Sequence, residues 1–540
     1  MTEQGTIVVG VDGSEHSRKA VRASPTPERG GGVVVARTLS PLNPTVPEPG
    51  PGRRLRWPRR IAVAAAGGVV GGVTGRMMPL GPTATGQALL VMASALLLGF
   101  AGARILRSGW RAVVLVGVGY VGGVELARWA VDLPTVDAIR LDSVYGALAF
   151  VAGRGVHGLL LAVPLVLGAR LAGAARLRHR VRARTATGLA ALLSIALVAA
   201  VAWPASTPPV QGPDGGIVPG SLAALETVTL GGDEHALMIR GADPSRPVLL
   251  YLSGGPGQSD LALSRVLSEP WLDQVVFATF DQRGNGKSYG ALLPTDAATL
   301  DRAVDDVIEL TEHLRARFGQ QRILLMGESW GTILGVLAVQ ERPDLFRAYL
   351  GSGQMVDVRE TDRAIYHDLV AYAARTRDDA LTATLRAMGE PPYADVPWSN
   401  AAVMGAYGHL YGPFTPSPGY LARGEASGLD PFGLLGSEYT VLEKANVLRG
   451  LVDTFAVMYP QLQGLDLRRD VPRLDVPVYL LDGAAELRGR REPALEWFAR
   501  LDAPHKRIVT FAGAAHAVAY EQADEVDRLL AEEILPQTRP

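Results

Sequence analysis

Arg322-Ile-Leu-Leu-Met326 runs directly into Gly327-Glu-Ser-Trp-Gly331, and Thr332 to Gln340 follow with helical character. A short apolar run that ends at glycine is the pattern of a buried strand. The stretch reads strand, G-x-S-x-G, helix, the setting in which this common pentapeptide becomes a nucleophile elbow. Glycines flank the serine because side chains at those positions would collide in so tight a turn. The turn also lifts Ser329 Oγ above the sheet, where it can attack a substrate. Without the strand and the helix the pentapeptide would carry little weight.

A serine hydroxyl is a weak nucleophile at neutral pH, so it needs a base, and the base needs an orienting carboxylate. With an elbow of this kind the chain order is serine, acid, histidine. Val476-Pro-Val-Tyr-Leu-Leu481 reads as a strand and leads into Asp482-Gly-Ala-Ala-Glu486. Arg507-Ile-Val-Thr-Phe511 reads as another and leads into Ala512-Gly-Ala-Ala-His516, with a last helix from about Glu521. His516 therefore lies in the loop after the final strand, where the base is expected. His505 precedes that strand and belongs to the other sheet end. Glu486, a loop residue, has the reach to meet His516. Asp482, at the strand terminus, is the alternative acid, with capping of backbone amides as its structural role. Upstream, short strands are expected near 226–230 and 235–240. Two buried strands follow, Pro247-Val-Leu-Leu-Tyr-Leu-Ser253 before Gly254-Gly-Pro-Gly257, and Val275-Val-Phe-Ala-Thr-Phe280 before Asp281-Gln-Arg-Gly-Asn-Gly-Lys-Ser288. A helix is expected over about 297–318.

Ser253-Gly-Gly-Pro-Gly257, Asp281-Gln-Arg-Gly-Asn-Gly-Lys-Ser288 and Gly327-Glu-Ser-Trp-Gly331 stand in the order of three family motifs, H-G-G-P-G, D-Q-R-G-x-G-x-S and G-G-S-W-G. On these residues the segment resembles the α/β-hydrolase superfamily, and within it the prolyl aminopeptidase (proline iminopeptidase) family of serine peptidases. The resemblance covers roughly 245–350 and 475–520. It implies a mostly parallel sheet with a helical cap at about 355–470, no cofactor and no metal. It also implies an oxyanion hole from the backbone N–H groups of Trp330 and Gly255 (or Gly254), and it places the acid at Glu486. Ser253 stands where the family has histidine, and Glu486 where it has aspartate; both changes are compatible with hydrolysis. Arg283 is expected to brace its loop by salt bridging. In the family, cap acids bind the substrate's free amine. None of Glu390, Glu425, Glu438 or Glu443 matches that motif, so proline specificity does not carry over with the fold. The substrate expected is a small peptide or an ester.

Bulk numbers conceal how unevenly this chain is built. Its 540 residues are 48% hydrophobic and 20% charged, with a formal net charge of −1 and a mean hydropathy of +0.14. The charge balance excludes the basic domain of a nucleic-acid binder. The absence of cysteine excludes disulfides, thiolate metal sites and a thiol nucleophile. The positive hydropathy comes from residues 61–204, where five apolar runs lie at about 61–80, 86–103, 112–131, 145–169 and 186–203. A membrane-spanning helix needs about 20 largely apolar residues.

Arginine supplies a separate test of topology. Arg53, Arg54, Arg56, Arg59 and Arg60 precede the first run, Arg104, Arg107 and Arg111 separate the second from the third, and five arginines between 176 and 184 separate the fourth from the fifth. The alternate connections hold Arg76 and Arg140. By the positive-inside rule the expected protein is a multi-pass one of the cell membrane. Its N-terminus is cytoplasmic, its five spans contact the lipid bilayer, and everything after Pro204 is extracytoplasmic. A cleaved signal peptide does not fit, because the first run begins sixty residues in and four more follow. Gly67, Gly71 and Gly75, with Gly68 and Gly72, offer a small-residue stripe for close helix packing. Glu125 and Arg154 fall at similar depth and are expected to pair.

Residues 1–24, with Thr6-Ile-Val-Val-Gly-Val-Asp-Gly-Ser14, resemble the opening of a universal stress protein. A nucleotide site of that kind needs several βα units, and none follow. Residues 25–60 have the Pro/Gly/Arg-rich composition of a disordered linker. The expected architecture is an α-helical transmembrane bundle of about five spans (61–204), a linker (205–225), and an α/β-hydrolase domain (226–540).

Overall fold

The computed structural model describes residues 56–129, 131, 144–173, 181–412, 414–416, 418–422 and 436–538. The stress-protein-like stretch 1–24 and nearly all of the 25–60 linker lie outside the described residues.

Eight strands form one sheet in the order β1-β2-β4-β3-β5-β6-β7-β8. They are β1 (Leu222–Leu230), β2 (Asp233–Gly241), β3 (Val248–Leu252), β4 (Val276–Phe280), β5 (Ile323–Glu328), β6 (Phe346–Ser352), β7 (Val478–Gly483) and β8 (Lys506–Phe511). β2 runs antiparallel to β1 and β4, and every other neighbouring pair is parallel. β3, β4 and β5 are buried along their whole length, which is why they read as unbroken apolar runs. Two apolar clusters cover the two sheet faces. Leu250, Val307, Ile333, Tyr349 and Trp497 lie in one, and Leu249, Trp271, Met326, Tyr479 and Val526 in the other. This is the α/β-hydrolase fold, with a mostly parallel sheet.

Two elements depart from the sequence reading. β1 begins at Leu222, inside the stretch read as linker, because its pairing with β2 extends from Leu230↔Asp233 back to Leu222↔Gly241. β6 was not foreseen; Phe346-Arg-Ala-Tyr-Leu350 has a charged second residue, yet pairing on both sides with β5 and β7 buries the rest. The longer helices of this domain are α6 (Leu300–Phe318), α7 (Trp330–Glu341), α8 (Val358–Thr376), α9 (Asp379–Met388), α10 (Val396–Leu410), α11 (Val441–Met458) and α12 (Arg488–Arg500). Helices α8 to α11 all fall between β6 and β7 and make the cap.

Ahead of the sheet stand α1 (Arg56–Met77), α2 (Thr85–Leu106), α3 (Gly109–Arg128), α4 (Gly146–Gly173) and α5 (Val181–Ala202). The last four are long and apolar enough to cross a membrane. α1 is as long, but its glycines and terminal arginines make it less apolar. Those glycines have a packing role. A Cβ on Gly67, Gly71 or Gly75 would fall 2.6, 2.1 or 2.8 Å from the carbonyl oxygen of Val116, Tyr120 or Val124. The contacts advance together along both helices, so α1 and α3 run parallel with touching backbones. Glu125 pairs with Arg154, as their depth suggested, and Arg128 lies 3.8 Å from the same carboxylate. Arg154 belongs to a single π-helical turn, Val151–Gly155, within α4.

Replacing Gly71 by leucine is therefore expected to force α1 off α3, at a cost of roughly 1–3 kcal/mol for overpacking. Thermal unfolding of the full chain in detergent should show a lowered Tm. An unchanged Tm would mean that the two helices do not pack this way.

Candidate active site

β5 ends and α7 begins within one residue, and that residue is Ser329, at φ 51° and ψ −119°. A positive φ is uncommon away from glycine and is held here from several sides. Ser329 N–H donates to Ser352 O (3.0 Å), and Ser329 O accepts from the amide and hydroxyl of Thr332 at 2.9 and 2.5 Å. The flanking glycines are sterically required. A Cβ on Gly331 would sit 2.2 Å from Leu252 O, and one on Gly327 would sit 2.4 Å from Gly331 O. The hydroxyl lies 3.6 Å from Met355 Sδ.

The loop after β3 supplies the neighbouring wall. A Cβ built on Gly254 would lie 3.4 Å from Ser329 Cβ, so this glycine faces the serine directly. Gly255 follows at φ +123°. Trp330 is buried, and its indole N–H donates to Gln282 Oε1 (2.8 Å), while Gln282 Nε2 donates to Ser253 O (3.0 Å). The loops after β3, β4 and β5 are thereby stitched together around Ser329. Arg283 braces the middle one, bonding both Asp306 oxygens at 3.1 Å and Asp233 at 2.5 Å.

From the other side of the sheet centre, the loops after β7 and β8 bring Glu486 and His516 into direct hydrogen-bond contact, Oε2 to Nδ1. The ring lies against Gly353, where a Cβ would fall 2.9 Å from both Nδ1 and Cε1. Gly353 follows the residue whose carbonyl holds the Ser329 amide, so the imidazole is seated next to the elbow. Asp482 does not join this group. Arg491 binds it through both oxygens at 2.9 and 2.7 Å, and Thr510 Oγ1 donates to it at 2.9 Å. Its structural role is thus an ion pair, not the capping of backbone amides.

Besides Leu487 N–H, which donates at 2.6 Å, two side chains with no place in the motifs hold the far oxygen of Glu486. Tyr411, just after α10 in the cap, donates to Oε1 at 2.8 Å, and Arg490 Nη1 lies 3.5 Å away. Arg490 is itself buried over the Tyr407 ring. It stands four residues after Glu486, a spacing that places it one helical turn on; Tyr411 carries no comparable signal. Burial alone would push the Glu486 carboxyl up, but His516, Arg490 and Tyr411 outweigh it and leave the pKa at about 2. Three of the four cap glutamates considered above form ion pairs elsewhere. Glu390 faces Arg363 and His367, Glu438 pairs with Arg265 at 2.7 Å, and Glu443 pairs with Lys287 at 2.7 Å. Glu425 lies outside the described residues.

Behind the elbow is a buried acid cluster that the sequence reading missed. Glu328 accepts from Tyr251 Oη (2.9 Å), and Asp260 accepts from Tyr520 Oη (2.5 Å). Glu521 accepts from Ala515 N–H (2.5 Å), at the start of the His516 loop. Burial raises all three carboxyls, Asp260 to about 6, Glu521 to about 7 and Glu328 well above the usual range.

The family described as serine aminopeptidase, S33, matches residues 272–387. The chain is 28% identical over 306 residues to the probable aminopeptidase YbaC of Bacillus subtilis (strain 168), covering 56% of this chain and 93% of that one. It is 35% identical over 113 residues to a proline iminopeptidase of Arabidopsis thaliana, covering 21% of this chain and 28% of that one. Among solved structures, a proline iminopeptidase-related protein of Thermus thermophilus aligns with a TM-score of 0.40 at 21% identity, over 58% of this chain and 98% of that one. The α/β-hydrolase domain therefore has aminopeptidase-like and proline iminopeptidase-like relatives.

A carboxyl raised in the folded state favours folding while protonated, and that advantage is lost as pH climbs from the unfolded value to the folded one. For Glu521 the window runs from about 4.5 to about 7. Glu521→Gln keeps an acceptor for Ala515 N–H. It is expected to match the wild type in stability at pH 4 and exceed it at pH 8, read by denaturant unfolding. Equal stability at both pH values would show that Glu521 does not ionise at a cost.

Proposed function

We propose that this chain is a membrane-anchored serine hydrolase with an extracytoplasmic Ser329–His516–Glu486 triad, acting through an acyl-enzyme on small peptides. The observation that carries the reading is the hydrogen bond that His516 Nδ1–H donates to Glu486 Oε2 beside the Ser329 elbow. Ser329 Oγ attacks the substrate carbonyl carbon while His516 Nε2 takes the hydroxyl proton. Glu486 holds the Nδ1–H tautomer and stabilises the imidazolium that forms. The backbone N–H groups of Trp330 and Gly255 (or Gly254) receive the negative oxygen of the tetrahedral intermediate. His516 then returns the proton to the leaving amine or alkoxide, and the acyl group stays on Ser329. Water, deprotonated by the same histidine, releases the acid and restores the serine. A carboxylate with a pKa of about 2 stays ionised throughout.

The aminopeptidase reading draws on the similarity to YbaC and to the proline iminopeptidases. A second reading, hydrolysis of ester or amide substrates near the membrane, is favoured by a specific observation. Glu390, Glu438 and Glu443 are each already paired with a cation of the protein, which lowers their charge toward a substrate ammonium. Release of proline from a prolyl naphthylamide, compared with cleavage of short p-nitrophenyl esters, divides the two. Membrane anchoring is supported by the arginine-rich alternate connections. Exposed tryptophans add to it, with Trp57 and Trp110 near the starts of α1 and α3, and Trp129 and Trp203 just past the ends of α3 and α5.

A fluorophosphonate should label the wild-type protein and fail to label Ser329→Ala. Glu486→Gln is expected to lower kcat by about 10³–10⁴, whereas Asp482→Asn should stay within about tenfold of wild type. Folded protein that takes no label would instead mark a silent receptor or scaffold. For topology, reporter fusions after Pro204 should be active outside the cytoplasm. Cytoplasmic activity of those fusions would overturn the orientation.

A further inference from the structure

Helix α11 has the bundle on one face and the glycine loop of the candidate active site on the other. Toward the bundle, Leu442 packs with Met78, Ala88, Val91, Leu160 and Val201. Asn446 Nδ2 reaches Thr83 O at 3.4 Å, and Arg449 Nη2 donates to the carbonyl of Leu80; both acceptors lie in the connection from α1 to α2. Arg449 is 3% exposed, and the buried carboxylate of Asp453 lies one helical turn further along α11. Its other contacts are Asn446 Oδ1 at 3.4 Å and the Tyr289 ring, whose centroid is 4.5 Å from Cζ. A buried cation depends on each of the polar groups that replace its water. Leu80 is the acceptor that the bundle provides.

Toward the active site, the next residue along touches the loop. A Cβ on Gly257 would fall 2.4 Å from Gly450 O, and a Cβ on Gly450 would fall 2.9 Å from Gly284 O. Thr454 Oγ1 donates to Gly284 O (2.8 Å), and Tyr289 Oη donates to Asp453 (2.5 Å). Asn285 Nδ2 closes the circuit on Gln258 O at 2.7 Å. The guanidinium that grips the bundle is therefore one residue away from backbone packed against Gly254–Gly257.

We propose that Arg449 is a positioning residue, through which the bundle's Leu80 carbonyl holds α11, and α11 holds the oxyanion loop, in place. The bundle is then part of the frame of the active site as well as an anchor. The inference rests on the reading of Gly254 and Gly255 as oxyanion donors, and its test separates the two.

The probes are p-nitrophenyl acetate and its thionocarbonyl analogue, assayed with the full chain in nanodiscs. Sulfur is larger and accepts hydrogen bonds poorly, so a formed oxyanion hole favours the oxygen ester. Partial unfolding lowers both rates together and leaves their kcat/KM ratio unchanged, whereas a displaced loop lowers the ratio itself. Loss of one oxyanion donor costs about 10²–10³ in rate. Arg449→Ala is expected to reduce the oxygen-to-sulfur ratio at least about tenfold, with Arg449→Lys in between. Should Arg449→Ala give no active protein, Arg449→Lys and Asn446→Ala carry the same comparison. An unchanged ratio in variants that retain activity would overturn the positioning role. A wild-type ratio no larger than that for hydroxide in solution would overturn the oxyanion reading itself, and the inference with it.

Discussion

Ser329 sits at φ 51° because a fully buried strand and a buried helix must meet there with only this residue between them. Everything around the turn is shaped to permit it. Gly327 and Gly331 leave out the atoms that would strike Gly331 O and Leu252 O. Ser352 and Thr332 take up the serine's own backbone groups. Strain of this kind persists only where its surroundings over-determine it. Here the hydrogen bond to Ser352, at the end of β6, also ties the turn to the Gly353 position against which His516 lies. The placing of Ser329 beside His516 and the packing of the sheet are thus parts of one constraint.

Charge is arranged with comparable economy. Glu486 is buried, which by itself favours protonation, yet three side chains from three segments keep it ionised: His516 from the loop after β8, Arg490 from α12 and Tyr411 from the cap. The cap therefore reaches Glu486 directly, and a change in cap position would be felt at His516. Behind the elbow the balance is reversed. Asp260, Glu328 and Glu521 are buried with hydroxyl or amide donors and have raised pKa values. A single acid environment could not serve both purposes; one site lies beside a guanidinium and an imidazole and the other among hydroxyl and amide donors.

Much of this was legible in the residues. The strands at 248–252, 276–280, 323–328 and 478–483 are buried on both faces, so each announces itself as an apolar run. Ser329, His516 and Glu486 sit at loop positions set by the order of those strands. β6 was missed because Arg347 interrupts its apolar run, and that arginine turns to the carbonyl of Thr538 near the chain's end. Reach favoured Glu486 over Asp482, but the partner of Asp482 was not legible: Arg491, which claims it, lies nine residues on and carries no motif. Tyr411 and the grip of Arg449 on Leu80 join segments 75 and 369 residues apart, contacts that no local pattern encodes. In α1, glycines spaced four apart announced close packing, while the same glycines weaken the helix as a hydropathy signal.

The central claim is that Ser329 attacks a carbonyl whose oxygen is received by the backbone amides of Trp330 and the Gly254–Gly255 loop. The most direct measurement is an electron cryomicroscopy structure of the phosphonylated full chain in a nanodisc. The account predicts phosphorus bonded to Ser329 Oγ, with its oxygen within about 3 Å of those amide nitrogens. Phosphorus on another residue, or an oxygen turned away from both amides, would contradict it.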